Sequence, residues 1–353
     1  MNKNVILYGA GSDIAKILRM MREQQLSPLC IADGNSKKWG KVIDGVPIIP
    51  PEEITNYISD TIIITASFFD DIYKYLSEIL GEDIHRYHIL VAPFLWLMLV
   101  NVEYEKKFLQ YCNAYILKHE DELRKIYNMK DAITKSILDY VIEVRKSNNY
   151  IFSPYDENRD MQFVEGYFYL DELGEIEPLT IVDIGAYVGD TISEFCERFG
   201  DRICNYYAYE PEKDNYLICK ENLLGKPYEN KVSVVNKALG AGKESKLFGK
   251  EKSMFGIVDN EKEGTLTEVV PLDGEELNVE GTLVIKMDVE GLELEILKGS
   301  INYIKKFRPY MAVCVYHRVE DIYEIPAWLK EEGCNYSYFL RSGVHTHLVA
   351  IPN

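Results

Sequence analysis

The stretch IVDIGAYVGD at residues 181–190 constrains this chain most, because it has the pattern of a buried strand that turns tightly into a helix. Gly185 and Gly189 lack a Cβ, which predicts that a ligand lies close against the main chain at this turn. A second apolar run ends at Glu210, 27 residues after Asp183. A carboxylate in that place accepts hydrogen bonds from both hydroxyls of a ribose. The pattern predicts a nucleoside pocket, and a tight turn beside a solvated acid is the structural alternative.

The two glycines are spaced GxxxG, whereas dinucleotide sites usually carry GxGxxG. We therefore expect the loop to suit a small carboxylate better than a pyrophosphate. The helix that follows is predicted from Asp190 to about Phe199, with its free amides beside the turn.

Composition excludes several classes of partner. The formal net charge of -18 argues against binding to the phosphate backbone of nucleic acids or to an anionic membrane surface. The longest apolar run, residues 89–100, contains Pro93 and is too short to cross a bilayer. The seven cysteines form no CxxC pair and lie mostly in apolar patterns, so we expect reduced thiols in a cytoplasmic protein without a signal peptide.

The order of strand and helix patterns predicts an α/β chain with three parts. Residues 1–100 resemble a Rossmann-like domain, in which Gly9, Gly11 and Asp33 form an incomplete dinucleotide pattern or, alternatively, a structural turn. Residues 101–159 have helical periodicity and are interpreted as an amphipathic connector, with a dimerisation face as the alternative. Residues 160–353 return to the βα alternation, with a hairpin inserted near 244–272.

The elements expected in the last part are strands near 180–184, 205–209, 231–236, 282–287, 310–316, 336–341 and 346–351, and helices near 190–199, 213–223, 293–306 and 321–331. No helix separates the last two strands, so they must pair antiparallel. This predicts a mostly parallel, seven-stranded sheet with one antiparallel strand.

Charged residues at the ends of two of these strands are the candidates for chemistry. Lys286 and Asp288 alternate onto one face of the strand IKMD and are costly to bury unless they are paired with each other or with a ligand. Asp288, with Glu290 in the following turn, is predicted to act as a base or a substrate anchor. His317 ends the next strand and is either a general base or a structural histidine. Arg341 is predicted to bind a substrate carboxylate or phosphate, with a surface ion pair as the alternative.

Five ordered motifs resemble one known family. DIGAYVGDT (183–191), YEPEKDNY (209–216), PLDGE (271–275), IKMDVEGLELEILKGS (285–300) and VYHRVEDIYEIP (315–326) are similar to the FkbM family of S-adenosylmethionine-dependent methyltransferases. The resemblance implies a class I methyltransferase fold and O-methylation of a sugar, polysaccharide precursor or secondary metabolite. It also implies that Tyr167 and Phe168 cover the cofactor or substrate, where core packing is the alternative. The cofactor-binding set that it implies is Asp183, Gly185, Ala186, Tyr187, Gly189, Asp190, Thr191, Glu210, Pro211 and Asp288.

The first domain also resembles a known class of proteins. YGAGSDIAKIL and the segment 31–54 are similar to the Rossmann-like domains of sugar-modifying enzymes, which implies a sugar or sugar-nucleotide substrate. Two other functions stay open: an NAD(P)-dependent oxidoreductase that uses Gly9, Gly11 and Asp33, and a non-catalytic protein that only binds the cofactor. Asp288, Glu290, His317, His345 and His347 show no diagnostic ligand spacing, so no metal is predicted.

Overall fold

The computed structural model describes ten segments of the chain, which are residues 3–11, 14–23, 25–66, 69–91, 102–147, 153–154, 178–251, 254–257, 264–341 and 346–353. The chain divides into two units. The first comprises Met1–Leu117 with Asp139–Val164, and the second comprises Lys118–Leu138 with Glu165–Asn353. The helices predicted as a connector are thus shared between the units, and the predicted boundaries near residues 100 and 160 stay predictions.

The first unit contains a seven-stranded sheet with the order β3-β4-β2-β1-β5-β6-β7. Its strands are β1 Lys3–Tyr8, β2 Leu26–Ala32, β3 Val42–Ile43, β4 Val46–Ile49, β5 Thr61–Ile64, β6 His88–Val91 and β7 Ser153–Pro154. The five central strands are parallel, and β3 and β7 are antiparallel to their neighbours. The helix Ile14–Glu23 packs Ile14, Ile17 and Leu18 against the sheet. This confirms that the N-terminal sheet is Rossmann-like, as predicted.

The second unit contains the larger sheet that carries the candidate site. Its order is β10-β9-β8-β15-β16-β18-β17. The strands are β8 Leu179–Ile184, β9 Ile203–Tyr209, β10 Val232–Val235, β15 Thr282–Met287, β16 Tyr310–Cys314, β17 Tyr336–Arg341 and β18 His347–Pro352. Six of these strands run in one direction, and β18 runs in the opposite direction between β16 and β17. The predicted mostly parallel sheet of seven strands with one antiparallel strand is confirmed.

The strand order of this sheet fixes where a ligand binds. The chain runs outward from β8 through β9 to β10 and then returns to β15 on the other side of β8. In open α/β sheets, ligands bind beyond the carboxyl ends of the strands at such a reversal. The amide of Asp288 donates to the carbonyl of Ile184 at 3.0 Å and ties the ends of β8 and β15 together. The residues that follow these two strands therefore form one site.

The helices that cover this sheet bury the apolar faces from which they were predicted. The helix Asp190–Phe199 buries Ile192, Phe195, Cys196 and Phe199, the face that its sequence predicts. The other helices of the C-terminal part are Lys213–Leu223, Glu293–Lys298, Ile301–Phe307 and Asp321–Glu331. The single helix expected near 293–306 is wrong in one respect, because it is interrupted at Gly299. A Cβ at Gly299 would lie 2.0 Å from the carbonyl oxygen of Gly240, so the chain approaches too closely for any other residue.

The inserted segment forms more than the predicted hairpin. The strands β11 Ala238–Leu239, β12 Glu244–Glu251, β13 Met254–Ile257 and β14 Gly264–Val270 make a separate four-stranded sheet, in the order β11-β14-β12-β13. β12 pairs antiparallel with both β13 and β14. The sequence shows the turns but not that β11, which follows β10 directly, recruits β14 in parallel.

The remaining helices are Phe69–Leu80, Val102–Lys118, Glu120–Ile126 and Ala132–Ser147. Within the described ranges, none of the helices has the length and apolar character needed to cross a bilayer. None of the seven cysteines, all of which lie in the described ranges, forms a disulfide bond, and five of them are buried.

Candidate functional site

Three residues of the loop after β8 have positive φ. Gly185 and Gly189 have φ of 79° and 83°, and Tyr187 between them has φ of 48°. The amides of Gly185 and Ala186 both donate to the carbonyl of Tyr209, at 3.0 and 3.1 Å. The loop is therefore anchored to the end of β9, and the 49% exposed Tyr187 ring stands at its surface.

The two glycines are required by contacts within the protein. A Cβ at Gly185 would lie 2.0 Å from the carbonyl oxygen of Asp288, and a Cβ at Gly189 would lie 2.9 Å from the Sγ of Cys219. Both positions are thus set by positive φ and by close packing within the protein. Their predicted contact with a ligand stays a prediction.

Asp183 lies at the centre of a buried polar network. Its Oδ1 is 2.9 Å from the Nζ of Lys286, and its Oδ2 accepts hydrogen bonds from Tyr206 at 2.8 Å and Thr191 at 3.1 Å. The Lys286 ammonium also donates to the carbonyl of Gly185 at 2.7 Å. Burial lowers the pKa of Lys286, but the charges of Asp183 and Asp288 outweigh burial and raise it, so the ammonium stays charged.

These contacts correct two predictions. Lys286 was expected to pair with Asp288 or to bind substrate, and its buried ammonium instead pairs with Asp183 across the neighbouring strand. The register explains the partner, because Lys286 of β15 lies directly opposite Asp183 of β8. Lys286 thus stabilises the loop from the protein interior. The side chains of Asp183 and Thr191 are buried beneath the loop in the same network.

Breaking this pair will destabilise the fold. In Lys286→Met, the carboxylate of Asp183 stays buried without its counter-charge, and we expect the free energy of unfolding to fall by about 3–5 kcal/mol. The exposed pair of Lys298 and Glu295 supplies the control, since Lys298→Met is expected to cost less than about 1 kcal/mol. Urea denaturation followed by circular dichroism measures both. Equal losses of unfolding free energy in the two variants would show that the buried pair of Lys286 and Asp183 stabilises the fold no more than an exposed pair does.

Glu210 follows β9 and closes the other side of the loop. Its Oε2 accepts a hydrogen bond from the amide of Tyr187 at 2.9 Å, and its Oε1 accepts one from the amide of Glu212 at 2.9 Å. Burial raises the pKa of Glu210 to about 7, against the opposing effect of these hydrogen bonds. The side chain of Asn215 also donates to this carboxylate, so two ribose hydroxyls would share the acceptor capacity that these three donors leave.

The other residues of the predicted cofactor set lie around the same loop. Asp190 begins the helix and is exposed, Pro211 is half-buried next to Glu210, and Ala186 is buried. Together with Tyr187 they lie in the loops that follow β8 and β9. Their contact with a cofactor stays a prediction.

Beyond β15 and β16, a histidine meets several carboxylates. The Nε2 of His317 lies 3.3 Å from the Oδ1 of Asp288 and 3.5 Å from the Oε2 of Glu290. Tyr316 donates a hydrogen bond to the same Oδ1 at 3.1 Å. The side chain of His317 is 3% exposed, whereas those of Asp288 and Glu290 are 28% and 39% exposed. The three residues predicted as catalytic therefore converge, and their carboxylates face the solvent side.

Two buried acids behind His317 were not predicted. The Oε1 of Glu293 lies 2.7 Å from the Nδ1 of His317 and also accepts from the amide of Val289 at 3.2 Å. Asp321, 1% exposed, has its pKa raised to about 7 by burial and by the charge of Glu293. Glu293 lies within the motif IKMDVEGLELEILKGS, three residues after Glu290 at the start of a short helix. The place of Glu293 at the helix start, three residues after Glu290, was the sequence signal that its side chain points back towards the loop after β15.

The charge state of His317 follows from these neighbours. Burial lowers the pKa of His317, but the hydrogen bond and charge of Glu293 and the charges of Asp288 and Glu290 outweigh burial and raise it. Burial in turn raises the pKa of Glu290. Among the described residues, one ligand atom each from Asp288, Glu293 and His317 lies within 4.8 Å of the other two. Such a group is able to bind protons or a cation.

Arg341 does not reach this group. Its guanidinium is buried and forms an ion pair with Asp131, with N–O distances of 2.7 and 3.4 Å, and it also donates to Thr134 and to the carbonyl of Leu340. A buried ion pair thus stands in place of the surface ion pair that was the alternative, and the predicted role in binding substrate stays a prediction. His347 begins β18 and is buried. Tyr167, Phe168 and His345 lie outside the described residues, so their predicted roles stay predictions.

In the first unit, Asp33 has partners of its own. Its Oδ2 accepts from the amide of Ala10 at 2.7 Å and from the Nζ of Lys38 at 3.0 Å, and its Oδ1 accepts from the amide of Asn35 at 2.8 Å. Burial raises the pKa of Asp33, but these hydrogen bonds outweigh burial and lower it. A carboxylate that already caps the Gly9–Gly11 loop and binds Lys38 is poorly suited to hold a ribose. The alternative of a structural turn fits these contacts better.

Two family models match separate parts of the chain. Residues 183–338 match the model described as the methyltransferase FkbM domain, and residues 1–90 match the model described as C2185-like, N-terminal. The search of curated proteins returned no match. The resemblance to the FkbM family is therefore confirmed for the C-terminal part. The likeness of residues 1–100 to sugar-modifying enzymes is not confirmed and stays a prediction.

One solved structure shows a related fold over most of the chain. A methyltransferase FkbM from Methylobacillus flagellatus KT is similar over 99% of this chain and 90% of its own, with 16% sequence identity and a TM-score of 0.60. An S-adenosylmethionine-dependent methyltransferase from Aquifex aeolicus matches 55% of this chain and 92% of its own, with 16% identity and a TM-score of 0.34. The first of these likenesses shows the fold of the chain.

Proposed function

We propose that this chain, in which residues 183–338 match the methyltransferase FkbM domain, is an S-adenosylmethionine-dependent methyltransferase that methylates a hydroxyl of a sugar, a polysaccharide precursor or a secondary metabolite. One observation carries the proposal. The loop and acid suited to a nucleoside, after β8 and β9, lie beside a histidine and carboxylates after β15 and β16, in one sheet and at one edge. A cofactor and an acceptor bound there would be adjacent.

On this proposal, the cofactor occupies the loop after β8. Glu210 accepts hydrogen bonds from the two ribose hydroxyls, and Tyr187 and Pro211 border the nucleoside. The exposed start of the helix at Asp190 lies towards the methionine end. Asp183 and Thr191 contribute by stabilising this loop, because their side chains are buried in the network with Lys286.

The acceptor hydroxyl lies against Asp288, Glu290 and His317. Methyl transfer is an in-line displacement, so the enzyme must hold the oxygen opposite the sulfur of the sulfonium, and such positioning supplies about 7–11 kcal/mol of barrier reduction. Removal of the hydroxyl proton by a placed base adds about 10²- to 10⁴-fold. The convergence of the Asp288 and Glu290 carboxylates within 3.5 Å of His317 supports the assignment of all three residues to this step.

The contacts of Asp33 weigh against the oxidoreductase alternative. Its carboxylate oxygens accept from Ala10, Asn35 and Lys38, and the third glycine of a dinucleotide loop is absent from the sequence. A protein that binds the cofactor without turnover is the second alternative, and a turnover assay separates it from the proposal.

The pKa of Glu210 predicts how cofactor binding depends on pH. Because this pKa is raised to about 7 in the free protein, the carboxyl is largely protonated at pH 6 and ionised at pH 8. Ribose hydroxyls donate to the ionised form, so affinity for S-adenosylhomocysteine should fall about tenfold per pH unit below 7. Calorimetric titrations at pH 6 and pH 8 test this. Glu210→Gln should lose the dependence, and the exposed control Glu221→Gln should keep it; a wild-type affinity that is independent of pH contradicts the assignment.

A turnover assay tests the proposed reaction. The full chain is incubated with methyl-labelled S-adenosylmethionine and a set of sugars, sugar nucleotides and polyhydroxylated metabolites, and labelled methyl ethers are identified by mass spectrometry. We expect at least one labelled product, together with an equal amount of S-adenosylhomocysteine. Cofactor binding without transfer to any acceptor would favour the non-catalytic alternative.

A further inference from the structure

The Nε2 atom of His317 has an unusual environment. Its side chain is 97% buried, and no described residue forms a hydrogen bond with Nε2. The nearest polar atoms are the carboxylate oxygens of Asp288 and Glu290, at 3.3 and 3.5 Å. A lone pair that faces two carboxylates is repelled by them, so this arrangement favours either a proton on Nε2 or a cation between the three groups.

The orientation of the ring shows which nitrogen is available. Glu293 lies 2.7 Å from Nδ1 and is held in turn by the amide of Val289. A carboxylate on Nδ1 keeps the proton on that nitrogen and turns the Nε2 lone pair towards Asp288 and Glu290. In protein metal sites, a histidine that binds the metal through one ring nitrogen usually donates the N–H of its other ring nitrogen to a carboxylate or a carbonyl. The side chain of Glu293 is fully buried, so this support is rigid.

The balance of charge favours a divalent ion over a proton alone. Asp288, Glu290 and Glu293 surround His317, and Asp321 lies behind them with the charge of Arg318 acting on it. The nearby Lys286 is paired with Asp183. One imidazolium does not neutralise the three carboxylates around it. Uncompensated carboxylates in a partly buried group are costly, and such groups take up protons or bind a cation. Asp288 and Glu290 are partly exposed, so an ion has a route into the site.

We propose that His317 Nε2, Asp288 and Glu290 bind a divalent cation of the Mg²⁺ or Mn²⁺ class, with Glu293 as the residue that positions His317. Carboxylate oxygens with one imidazole and several waters suit such hard ions. This reverses the expectation from sequence, where no ligand spacing was diagnostic. The inference rests on the proposed function, because it gives the acceptor-binding group its mode of action.

The role of the ion in the reaction is to bind the acceptor hydroxyl and lower its pKa. The hydroxyl proton passes to a carboxylate oxygen of Glu290. The acceptor oxygen then forms a bond to the methyl carbon while the bond from that carbon to sulfur breaks, and both electrons of the broken bond stay on sulfur. The products are a methyl ether and S-adenosylhomocysteine, and the ion keeps its oxidation state.

Binding of Mn²⁺ tests the site without any assay of activity. The full chain is freed of metal with a chelator and dialysed, and free Mn²⁺ is followed by electron paramagnetic resonance during titration. We expect one tight site per chain, which His317→Ala removes and Glu293→Gln weakens about 10- to 100-fold. His85→Ala is the control, because His85 is exposed in the first unit, and it should leave the titration unchanged. Added Mg²⁺ should displace Mn²⁺.

The outcomes separate the ion site from the methyltransferase proposal. A wild-type chain with no Mn²⁺ site tighter than that of His317→Ala overturns the ion site. The same holds if Glu293→Gln binds Mn²⁺ with wild-type affinity. Binding of S-adenosylhomocysteine is measured in parallel with chelator present, because the ribose and methionine contacts do not need the ion. Loss of the Mn²⁺ site with retained binding of S-adenosylhomocysteine refutes this inference alone, whereas absence of S-adenosylhomocysteine binding refutes the proposed function.

Discussion

Replacement of His317 by alanine is expected to lower turnover by about 10²- to 10⁴-fold while affinity for S-adenosylhomocysteine stays within a few fold. The physical reason is that His317 contacts Asp288 and Glu290 at the acceptor side, 3.3 and 3.5 Å away, whereas the nucleoside pocket lies after β8 and β9. Loss of the group that promotes removal of the hydroxyl proton has an effect of this size. Asp288→Ala should behave in the same way. Single-turnover kinetics and calorimetry measure the two quantities separately.

The control for this experiment is His85→Ala, at an exposed position of the first unit. It should keep both turnover and cofactor affinity. Circular dichroism melting curves should show that His317→Ala is folded at the assay temperature, because a buried histidine also contributes to stability. A folded His317→Ala protein with wild-type turnover would remove His317 from the mechanism.

Replacement of Gly185 by alanine is expected to damage both the fold and the cofactor pocket. The new Cβ would lie 2.0 Å from the carbonyl oxygen of Asp288, and the residue would keep a φ of 79°. Positive φ costs about 1–2 kcal/mol and overpacking costs about 1–3 kcal/mol more, so the free energy of unfolding should fall by about 3 kcal/mol. The loop must also move away from β15, so affinity for S-adenosylhomocysteine should fall more than tenfold.

Gly225 provides the matched control for this substitution. It has a φ of 73°, close to that of Gly185, but a Cβ there meets no atom within 4 Å. Gly225→Ala should therefore cost only the backbone strain, about 1–2 kcal/mol, and leave cofactor binding unchanged. Denaturant unfolding and calorimetry on both variants isolate the effect of the close approach. Equal losses would show that the contact with Asp288 is not what requires glycine at 185.

The course of the C-terminal sheet was predictable because its signals are local. Each strand is an apolar run between turn residues, and the helix Asp190–Phe199 has one apolar face, so strands and helices were placed to within a few residues. Two features depend on distant contacts and were missed. The interruption at Gly299 results from the close approach of Gly240, and the separate sheet of β11 to β14 requires pairing between segments about thirty residues apart.

The candidate site was predictable in its membership but not in its pairing. Asp288, Glu290 and His317 were expected at strand ends, and the parallel strands bring them together. Lys286 was expected to pair along its own strand, but the register of β8 and β15 places Asp183 opposite it. Glu293 escaped prediction because an acid at a helix start has many uses, and only its distance from His317 Nδ1 reveals this one. The partner of Arg341, Asp131, escaped prediction because it lies 210 residues away in the chain.

Calorimetric titration of the wild-type chain with S-adenosylhomocysteine, with NAD as the comparison ligand, tests the central claim most directly. The account predicts saturable binding of S-adenosylhomocysteine at one site per chain, lost or strongly weakened in Glu210→Ala, and no binding of NAD. Binding of NAD with no binding of S-adenosylhomocysteine would contradict it.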